Sequence, residues 1–224
     1  DRDRQLNFGT GGLNGTVWVS PNHINLFNVS TLSPSGGFFN YSFDPALCAY
    51  DVGIQYWRMG TLGSICYKDA NTSQGTVTLR APLTTQIRFP NNTVVTEGST
   101  VPVSFNSSDE CSVGVNASTV ALYFRGTTSN YSQEGGINDW GNGTYTFGFS
   151  TSGKDLGVYN ITAQADKSYY AQGNGTMAPG FRIAQGPVLS SPSANMSTGG
   201  WGAAWQFDVQ CYDLEGDQFN VSLW

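Results

Sequence analysis

Short stretches in which apolar and polar side chains alternate recur along almost the whole chain of 224 residues. A period of two is typical of half-buried β-strands, because successive side chains of a strand point to opposite faces. Gly, Pro and Asn separate these stretches, and no window shows the 3.6-residue apolar period of a helix. Residues that favour helices are scarce as well, since Lys and Glu together number only seven. The chain is therefore predicted to be all-β.

The alternating stretches divide into three segments, 1–82, 83–185 and 186–224. Pro82 marks the first boundary, and a Pro/Ser/Gly-rich break at 186–200 marks the second. The predicted strands are 16–19, 38–43, 50–57, 75–79, 86–89, 94–96, 100–105, 119–125, 144–149, 157–165, 180–183, 205–209 and 218–223. The middle segment has the length and the strand number of an immunoglobulin-like sandwich. We expect tandem sandwiches of this kind: a C-terminal portion at 1–82, a complete domain at 83–185 and opening strands at 186–224.

Asn-x-Ser/Thr triplets are far more frequent than composition explains. With 18 Asn and 44 Ser or Thr in the chain, chance gives roughly 3.5 such triplets, whereas thirteen occur. They lie at Asn14, Asn28, Asn40, Asn71, Asn91, Asn106, Asn116, Asn130, Asn142, Asn160, Asn174, Asn195 and Asn220. A preference of β-proteins for Thr and of turns for Asn raises both counts but does not couple them at a fixed spacing. The excess predicts dense N-glycosylation and hence an extracellular protein.

Four cysteines, Cys48, Cys66, Cys111 and Cys211, make an even number in a chain with these extracellular features, so disulfides are expected. Three pairings are possible. Cys48 and Cys66 bracket a compact strand–loop–strand segment, and this pair is favoured; Cys111 with Cys211 follows by elimination, although either could bond a neighbouring subunit. A zinc site is disfavoured because no Cys-x-x-Cys motif occurs and the chain has one histidine.

Charge and hydropathy exclude several classes of partner. The net charge of −6 would repel phosphate, so DNA and RNA are disfavoured. Apolar runs stop after about five residues, too short to span a bilayer. The first residues, D-R-D-R, lack the apolar core of a signal peptide. An extracellular location then requires that a leader was removed or that the chain is an excerpt.

Several stretches resemble the immunoglobulin-like repeats of prokaryotic surface proteins: V-V-T-E-G-S-T-V-P-V-S-F, W-G-N-G-T-Y-T-F-G-F and L-G-V-Y-N-I-T-A-Q-A. The stretch W-Q-F-D-V-Q-C-Y-D-L-E-G-D-Q-F-N-V-S-L-W resembles the opening of a further repeat. Together with the sequons and the scarcity of Lys, the chain is similar to archaeal cell-surface glycoproteins such as S-layer, sheath, filament and large adhesin-like proteins. The resemblance covers about half of the chain. It implies an extracellular structural or adhesive role at the cell surface without catalysis.

Catalytic groups are sparse. His23 allows at most one histidine-based centre, and no nucleophile-elbow motif accompanies it. A glycosidase-like pair of carboxylates could come from Asp109, Glu110, Asp139 or Asp155, but surface aspartates in turns explain these residues as well. The chain is therefore predicted not to be an enzyme.

An acidic cluster near the C-terminus contains Asp213, Glu215 and Asp217, with Asp208 close in sequence. Three carboxylates in five residues could supply hard oxygen ligands for calcium. The alternative is a β-turn around Gly216 in which the aspartates cap backbone amides. Calcium is the one cofactor that the sequence suggests, and no other is expected.

Aromatic pairs support a second class of function, carbohydrate binding, because sugars stack on exposed rings. The candidate pairs are Tyr56–Trp57, Tyr169–Tyr170 and Trp201–Trp205. In sandwiches one member of such a pair usually belongs to the core. A carbohydrate-binding or adhesin module is therefore the alternative to a structural glycoprotein.

The two outer segments together have the size of one more sandwich. Residues 186–224 of one unit could be completed by residues 1–82 of the next, which gives head-to-tail contacts that do not close. The expected partners are then copies of the chain itself in a polymer or lattice, besides covalently attached N-glycans. The alternative is that the chain has arbitrary fragment limits.

Overall fold

The computed structural model describes residues 13–46, 48–64, 68–116, 119–133 and 135–213, together with the single residues 216, 218 and 220. Every regular element in these ranges is a β-strand, which confirms the all-β prediction. It follows that this part of the chain contains no helix capable of crossing a membrane.

The strands are numbered in chain order. The first six are β1 (Gly15–Val19), β2 (Phe27–Leu32), β3 (Gly53–Thr61), β4 (Ala70–Asn71), β5 (Gly75–Leu79) and β6 (Ala81–Pro82). The next six are β7 (Thr84–Phe89), β8 (Thr93–Thr96), β9 (Thr100–Ser108), β10 (Thr119–Arg125), β11 (Asn130–Gln133) and β12 (Asn138–Asp139). The last six are β13 (Thr144–Ser150), β14 (Gly157–Asp166), β15 (Tyr170–Ala171), β16 (Gly173–Ala184), β17 (Val188–Ala194) and β18 (Phe207–Tyr212).

The chain forms two compact units. Unit 1 contains Asp1–Thr84, Ser108–Ser118 and Asp166–Gly173, and unit 2 contains Thr85–Ser107, Thr119–Ala165 and Asn174–Trp224. The sequence analysis expects each domain to be one continuous segment, whereas each unit contains several separate ranges. In particular, two loops of the middle segment, 108–118 and 166–173, belong to unit 1.

Unit 2 contains an immunoglobulin-like sandwich. One sheet has the strand order β12-β13-β9-β7 and the other β11-β10-β14-β16-β8. In immunoglobulin letters these are D-E-B-A and C′-C-F-G-A′, with the first strand shared between the two sheets. Strand β8 pairs with β16 in parallel, whereas β13 pairs with β9 in antiparallel orientation.

The interior of the sandwich is closed. Side chains that alternate along the strands of both sheets are almost wholly buried: Val101, Val103, Phe105, Leu122, Phe124, Tyr145, Phe149, Tyr159, Ile161, Phe181 and Ile183. The rings of Phe124 and Phe149 stack with their centroids 4.1 Å apart. Each large side chain buried in this way stabilises the fold by about 1.5–3 kcal/mol, so unit 2 is held by its core.

A tyrosine corner opens strand β14. The hydroxyl of buried Tyr159 donates to the carbonyl of Asp155, at 3.0 Å. A tyrosine that bonds backbone just upstream at this place is a hallmark of immunoglobulin sandwiches. Gly157 lies between the two residues with φ +119°, a value that side-chain-bearing residues rarely adopt. Burial raises the pKa of Tyr159 to about 12, and the nearby Tyr131 and Asp155 add to this shift.

The described part of unit 1 is built on one five-stranded sheet. Its order is β2-β1-β3-β4, and β5 also pairs with β3. Strand β3 is central and antiparallel to β1, β4 and β5. The two short strands β6 and β15 pair separately, in parallel.

A second corner opens strand β3, with glutamine in place of tyrosine. The fully buried Gln55 donates from Nε2 to the carbonyl of Asp51 at 2.5 Å. Its Oε1 accepts from the backbone N–H of His23 at 3.1 Å and from the Ser20 hydroxyl at 3.4 Å. Gly53 lies between Asp51 and Gln55 with φ +128°. The geometry repeats that of Asp155, Gly157 and Tyr159.

Residues 38–43 do not form the strand that was predicted. The segment is assigned to no strand, and only the bridge between Ser35 and Phe38 touches it. Its burial nonetheless alternates, with Phe39, Tyr41 and Phe43 half-buried and the residues between them exposed. The segment has the side-chain pattern of a strand, but in the described part of the chain no neighbouring strand pairs with its backbone.

The break predicted at 186–200 is also corrected, because it contains β17. Strand β17 pairs with β18 in an antiparallel two-stranded sheet. The ladder is irregular between Ser190 and Ser193, where Pro192 lies. Proline lacks an N–H and is tolerated at such an irregularity, which explains how a proline-containing stretch can form a strand.

Candidate functional site

The thirteen sequon asparagines all lie within the described residues, and none is buried. Twelve are exposed, and Asn106 is half-buried. Asn160 illustrates the pattern, since it lies exposed on β14 between the buried Tyr159 and Ile161. A glycan attached at any of the twelve positions would extend into solvent. Glycosylation itself stays a prediction.

The predicted Cys48–Cys66 pair is wrong, because Cys48 is bonded to Cys111. The two Cα atoms are 5.6 Å apart, although the residues are 63 positions apart in sequence. Cys111 lies in the loop 108–118, which belongs to unit 1. The Asp109 carboxylate shapes this loop by accepting from the backbone N–H groups of Cys111 and Val113. Proximity along the sequence could not show that this loop approaches Cys48.

The other two cysteines are left by this correction without an assigned pair. Cys211 has a free thiol and is half-buried on β18. Cys66 lies outside the described residues. A Cys111–Cys211 pair is excluded by the bond between Cys48 and Cys111.

An acidic cavity of about 370 Å³ surrounds the disulfide in unit 1. Asp51, Asp109, Glu110, Lys167 and Tyr170 are among its lining residues. Burial raises the pKa of the Tyr170 phenol, and the three carboxylates raise it further by opposing a second negative charge. One lysine and three carboxylates give the cavity an excess of negative charge.

The four candidate catalytic carboxylates have structural partners or positions. Asp109 caps its own loop, and Asp139 accepts from the backbone N–H of Gly141. Asp155 accepts hydrogen bonds from the Ser129 and Thr128 hydroxyls. These bonds lower the pKa of the Asp155 carboxyl, and the bond from Ser129 has the larger effect.

Glu110 follows Asp109 directly and lines the acidic cavity. The turn interpretation therefore accounts for Asp109 and Asp139. Asp155 is explained by its hydrogen bonds to Thr128 and Ser129, which connect two loops.

His23 also has a structural position. Its Nδ1 lies 2.7 Å from the carbonyl of Ile54 and its Nε2 lies 4.0 Å from Asp51. The ring covers Gly53, where a Cβ atom would approach His23 Cε1 to 3.0 Å. These contacts place His23 beside the glutamine corner.

The predicted calcium ligands lie only partly within the described residues. Asp208 and Asp213 are described, whereas Glu215 and Asp217 are not. Asp208 accepts from the side chain of Gln206. In the described part of the chain, no three acidic, histidine or cysteine side chains gather as metal ligands would.

The three aromatic pairs have different environments. Trp57 lines an apolar cavity and Tyr56 is half-buried. Tyr170 lines the acidic cavity, whereas Tyr169 is 40% exposed. The third pair is the most accessible: Trp201 is fully exposed and Trp205 is 41% exposed, both in the connection between β17 and β18.

The inner face of the unit 1 sheet encloses an apolar cavity of about 220 Å³. Its lining residues come from three strands and from the unpaired segment: Val17, Val19, Trp57, Met59, Val77, Tyr41 and Phe43. Val17 and Val19 are buried, but the other five are only half-buried. The apolar face of this sheet is therefore covered incompletely by described residues.

The β17–β18 sheet has one apolar and one polar face. Residues that pair across it share a face, and faces alternate along each strand. The apolar face carries Leu189, Ala194, Phe207, Val209 and Cys211. Of these, Leu189, Phe207 and Val209 are 59%, 62% and 43% exposed. We call this surface the hairpin face.

One repeated signal in the sequence was missed. The stretch D-V-G-I-Q at 51–55 and the stretch D-L-G-V-Y at 155–159 are 104 positions apart, which is the length of one immunoglobulin-like domain. Both form corners in which the fifth side chain donates to the carbonyl of the first residue. The pattern Asp-x-Gly-x-(Gln/Tyr) marks the start of the strand that corresponds to immunoglobulin strand F, which is β3 in unit 1 and β14 in unit 2.

No protein-family model and no curated protein sequence matches the chain. Similar solved structures exist at low identity. A tetra-tandem repeat from the extending region of a large adhesion protein is 11% identical with a TM-score of 0.46, over 92% of this chain and 57% of that one. The Escherichia coli adhesin FdeC is 13% identical with a TM-score of 0.40, over 71% and 51%.

An endo-β-1,4-mannanase from Thermotoga petrophila is 13% identical with a TM-score of 0.35, over 46% of this chain and 20% of that one. The chain thus spans between a fifth and just over half of the length of these three proteins. The similar structures include adhesin tandem-repeat domains, and the immunoglobulin-like assignment follows from the strand order of unit 2 itself.

Proposed function

We propose that the chain is an extracellular structural glycoprotein of a cell surface, which builds a surface layer, sheath or filament by head-to-tail assembly of immunoglobulin-like domains and has no catalytic role. The observation that carries this proposal is the placement of the sequons. Thirteen occur where chance gives roughly 3.5, and none of their asparagines is buried. The bond between Cys48 and Cys111 supports an oxidising, extracellular environment.

The resemblance to archaeal surface glycoproteins supports the structural part of the proposal. The closed sandwich of unit 2 suits a scaffold, and only 12% of the chain is charged. The candidate catalytic residues Asp109, Asp139 and Asp155 already serve as caps and ties in loops.

The deciding experiment is the intact mass of the protein from its native source, before and after enzymatic or chemical deglycosylation. We expect the mass to fall on treatment by an amount that corresponds to several glycans per chain. A native mass equal to that of the polypeptide would contradict the proposal. A peptide-level map would then show which of the thirteen asparagines carry sugar.

The second candidate is an adhesin or carbohydrate-binding module, and the exposure of Trp201 and Trp205 favours it. Ring faces that are open to solvent can stack on sugars. Glycan-array binding that is lost in Trp201→Ala and kept in Trp140→Ala would support this candidate. Trp140 is a matched control because it is also largely exposed, on a different loop.

We also propose that a calcium ion held by Asp213, Glu215 and Asp217 stabilises the folded chain. Binding to the folded state would raise the melting temperature by mass action. We expect a chelator to lower the melting temperature by several degrees if the ion is bound, and an Asp213→Asn variant to be insensitive to the chelator. An unchanged melting temperature of the parent chain would contradict calcium binding and support the alternative, a β-turn in which the aspartates cap backbone amides.

A further inference from the structure

We propose that the β17–β18 hairpin of one copy of the chain completes the unit 1 sandwich of a second copy, with the hairpin face packed over the apolar cavity and β18 paired with residues 38–43. The inference rests on the proposed head-to-tail assembly and names the surfaces that form its junction.

Unit 1 has the strands of the second half of an immunoglobulin-like domain. Its sheet order β2-β1-β3-β5 matches the order β11-β10-β14-β16 in unit 2. The matched strands β3 and β14 both open with the Asp-x-Gly-x-(Gln/Tyr) corner, at Gln55 and Tyr159. Unit 1 therefore contains a C′-C-F-G sheet, and in the described part of the chain no A–B pair of strands packs on it.

The segment 38–43 occupies the place of strand E. In unit 2 this strand is β13, which directs Tyr145 and Phe149 into the core and pairs with β9, the B strand. In unit 1 the same place in the chain order carries half-buried Tyr41 and Phe43, whose backbone pairs with no strand of the described residues. Within the described residues, the segment therefore has no B strand beside it.

The hairpin has the features of an A–B pair. The alternating residues Phe207, Val209 and Cys211 of β18 follow the core residues of β9 by 106 positions. Those core residues are Val101, Val103 and Phe105, all fully buried. In the hairpin Phe207 and Val209 are exposed and Cys211 is half-buried, although their counterparts in unit 2 form the centre of a sandwich.

The predicted glycans leave both surfaces clear. None of the thirteen sequon asparagines lines the unit 1 cavity or lies on the hairpin face. The one sequon asparagine next to the paired part of the hairpin, Asn195, follows Ala194 of the hairpin face and so lies on the polar side. On the unpaired segment, exposed Asn40 lies between half-buried Phe39 and the cavity residue Tyr41. The unit 1 cavity and the hairpin face are thus apolar surfaces without glycosylation sites. This is the pattern expected of surfaces that become buried on assembly.

A second copy is the occupant that the topology of unit 2 favours. Because β8 and β16 run in parallel, the chain enters the sandwich at one end and leaves it at the other. The hairpin follows β16 after three residues. One copy thus presents an A–B pair beyond the exit of its sandwich, and each copy carries one C′-C-F-G sheet that its described residues leave uncovered.

The register in unit 2 gives the expected pairing at the junction. Val103 of β9 pairs with Phe147 of β13, and Val101 with Phe149. Transfer of this register places Val209 of one copy opposite Tyr41 of the next, and Phe207 opposite Phe43. The aromatic side chains would then close the 220 Å³ cavity from above.

The test is sedimentation velocity of the full chain over a dilution series, with Cys211→Ala throughout so that this thiol forms no intermolecular disulfide. We expect concentration-dependent assembly that Val209→Asp weakens by at least about tenfold, because the aspartate would be buried among apolar side chains. Gln210→Asp is the matched control, since it introduces the same residue at the next position, on the polar face. The same contrast is expected in unit 1 between Val77→Asp, in the cavity, and Thr78→Asp, on the outer face of the sheet.

Mixing the two defective variants sharpens the test. The Val209→Asp chain keeps an intact cavity, and the Val77→Asp chain keeps an intact hairpin. The mixture should therefore form 1:1 dimers and no longer species. Far-ultraviolet circular dichroism and thermal melting of each variant check that unit 2 stays folded.

Several outcomes would overturn the junction. A chain that is monomeric at every concentration would do so, and so would equal effects of Val209→Asp and Gln210→Asp. Loss of assembly in Val209→Asp but not in Val77→Asp would mean that two hairpin faces meet each other. Assembly that survives both variants would mean that the polymer forms through another surface. A glycosylated monomer would support the glycoprotein proposal but contradict both the polymer and the junction.

Discussion

The two units are made of the same kind of strand but are held together differently. Unit 2 has two sheets and a closed core in which Phe124 and Phe149 are almost wholly buried. Unit 1 has one main sheet, a cavity of about 220 Å³ lined by half-buried aromatic residues, and a disulfide that joins Cys48 to Cys111. Where a second sheet supplies burial, packing suffices. Where it does not, a covalent bond and a buried polar corner take over part of the stabilisation.

The largest contrast is expected from removing one aromatic ring in each unit. Phe124→Ala should destabilise unit 2 by about 4 kcal/mol, because the ring is fully buried and the cavity cannot collapse. Phe43→Ala should cost unit 1 clearly less, about 1–2 kcal/mol, because this ring is only half-buried. Urea unfolding followed by hydrogen exchange of each unit measures both values. Equal costs would mean that the two cores are equally closed.

Loss of the disulfide should have the second-largest effect, and it should lower the stability of unit 1 without changing that of unit 2. A Cys48→Ser/Cys111→Ser double variant opens a loop of 63 residues and should cost unit 1 about 3 kcal/mol. The described part of the unit 2 sandwich contains no disulfide, so its unfolding should be unaffected. A shift of the unit 2 transition of similar size would contradict the assignment of this bond to unit 1. Peptide mapping without reduction should recover Cys48 linked to Cys111.

The glutamine corner should matter more than the tyrosine corner. Gln55→Leu removes partners from the Asp51 carbonyl, the His23 N–H and the Ser20 hydroxyl, so we expect a loss of about 2 kcal/mol in unit 1. Gln55→Glu is a useful second variant, because it keeps the acceptor and removes the donor to Asp51. If Gln55→Leu were neutral, the buried network would have no stabilising role.

The smallest effect is expected at Tyr159. Tyr159→Phe removes one hydrogen bond to the Asp155 carbonyl and should cost unit 2 about 1 kcal/mol. Because the folded pKa is raised to about 12, the neutral phenol contributes fully below the unfolded pKa near 10 and loses its contribution as pH rises from about 10 to 12. Stability curves of the parent chain should fall in this window more steeply than those of the phenylalanine variant. Parallel curves would show that Tyr159 does not titrate differently on folding.

Much of the fold could be predicted from alternation alone, because period-two burial is a local property. The strands at 16–19, 75–79 and 119–125 are examples, and the structure extends each by at most one residue. Pairing is not local. Residues 38–43 have the alternation of a strand but no paired strand among the described residues, and 188–194 has a partner strand despite Pro192.

The sites divide in the same way. The exposure of the sequon asparagines follows from strand alternation and turn chemistry, as Asn160 shows. The disulfide could not be predicted from the spacing of the cysteines. Cys111 approaches Cys48 only because the folded chain brings the loop 108–118 back to unit 1. The corner motif at 51–55 and 155–159 is visible in the sequence, but its role depends on a hydrogen bond that forms only in the folded chain.

The parallel pairing of β8 and β16 has a mechanical consequence. Phe181 to Ala184 lie beside Thr93 to Thr96 in the same direction, and the chain enters through the first strand and leaves through the second. Tension applied along the polypeptide draws these neighbours in opposite directions, so all hydrogen bonds of the ladder are sheared together and none can open first. Unit 2 should therefore resist stretching until it ruptures in one event. Single-molecule pulling should record one high-force peak for this unit, and Val95→Pro, which removes one donor from the ladder, should lower that peak.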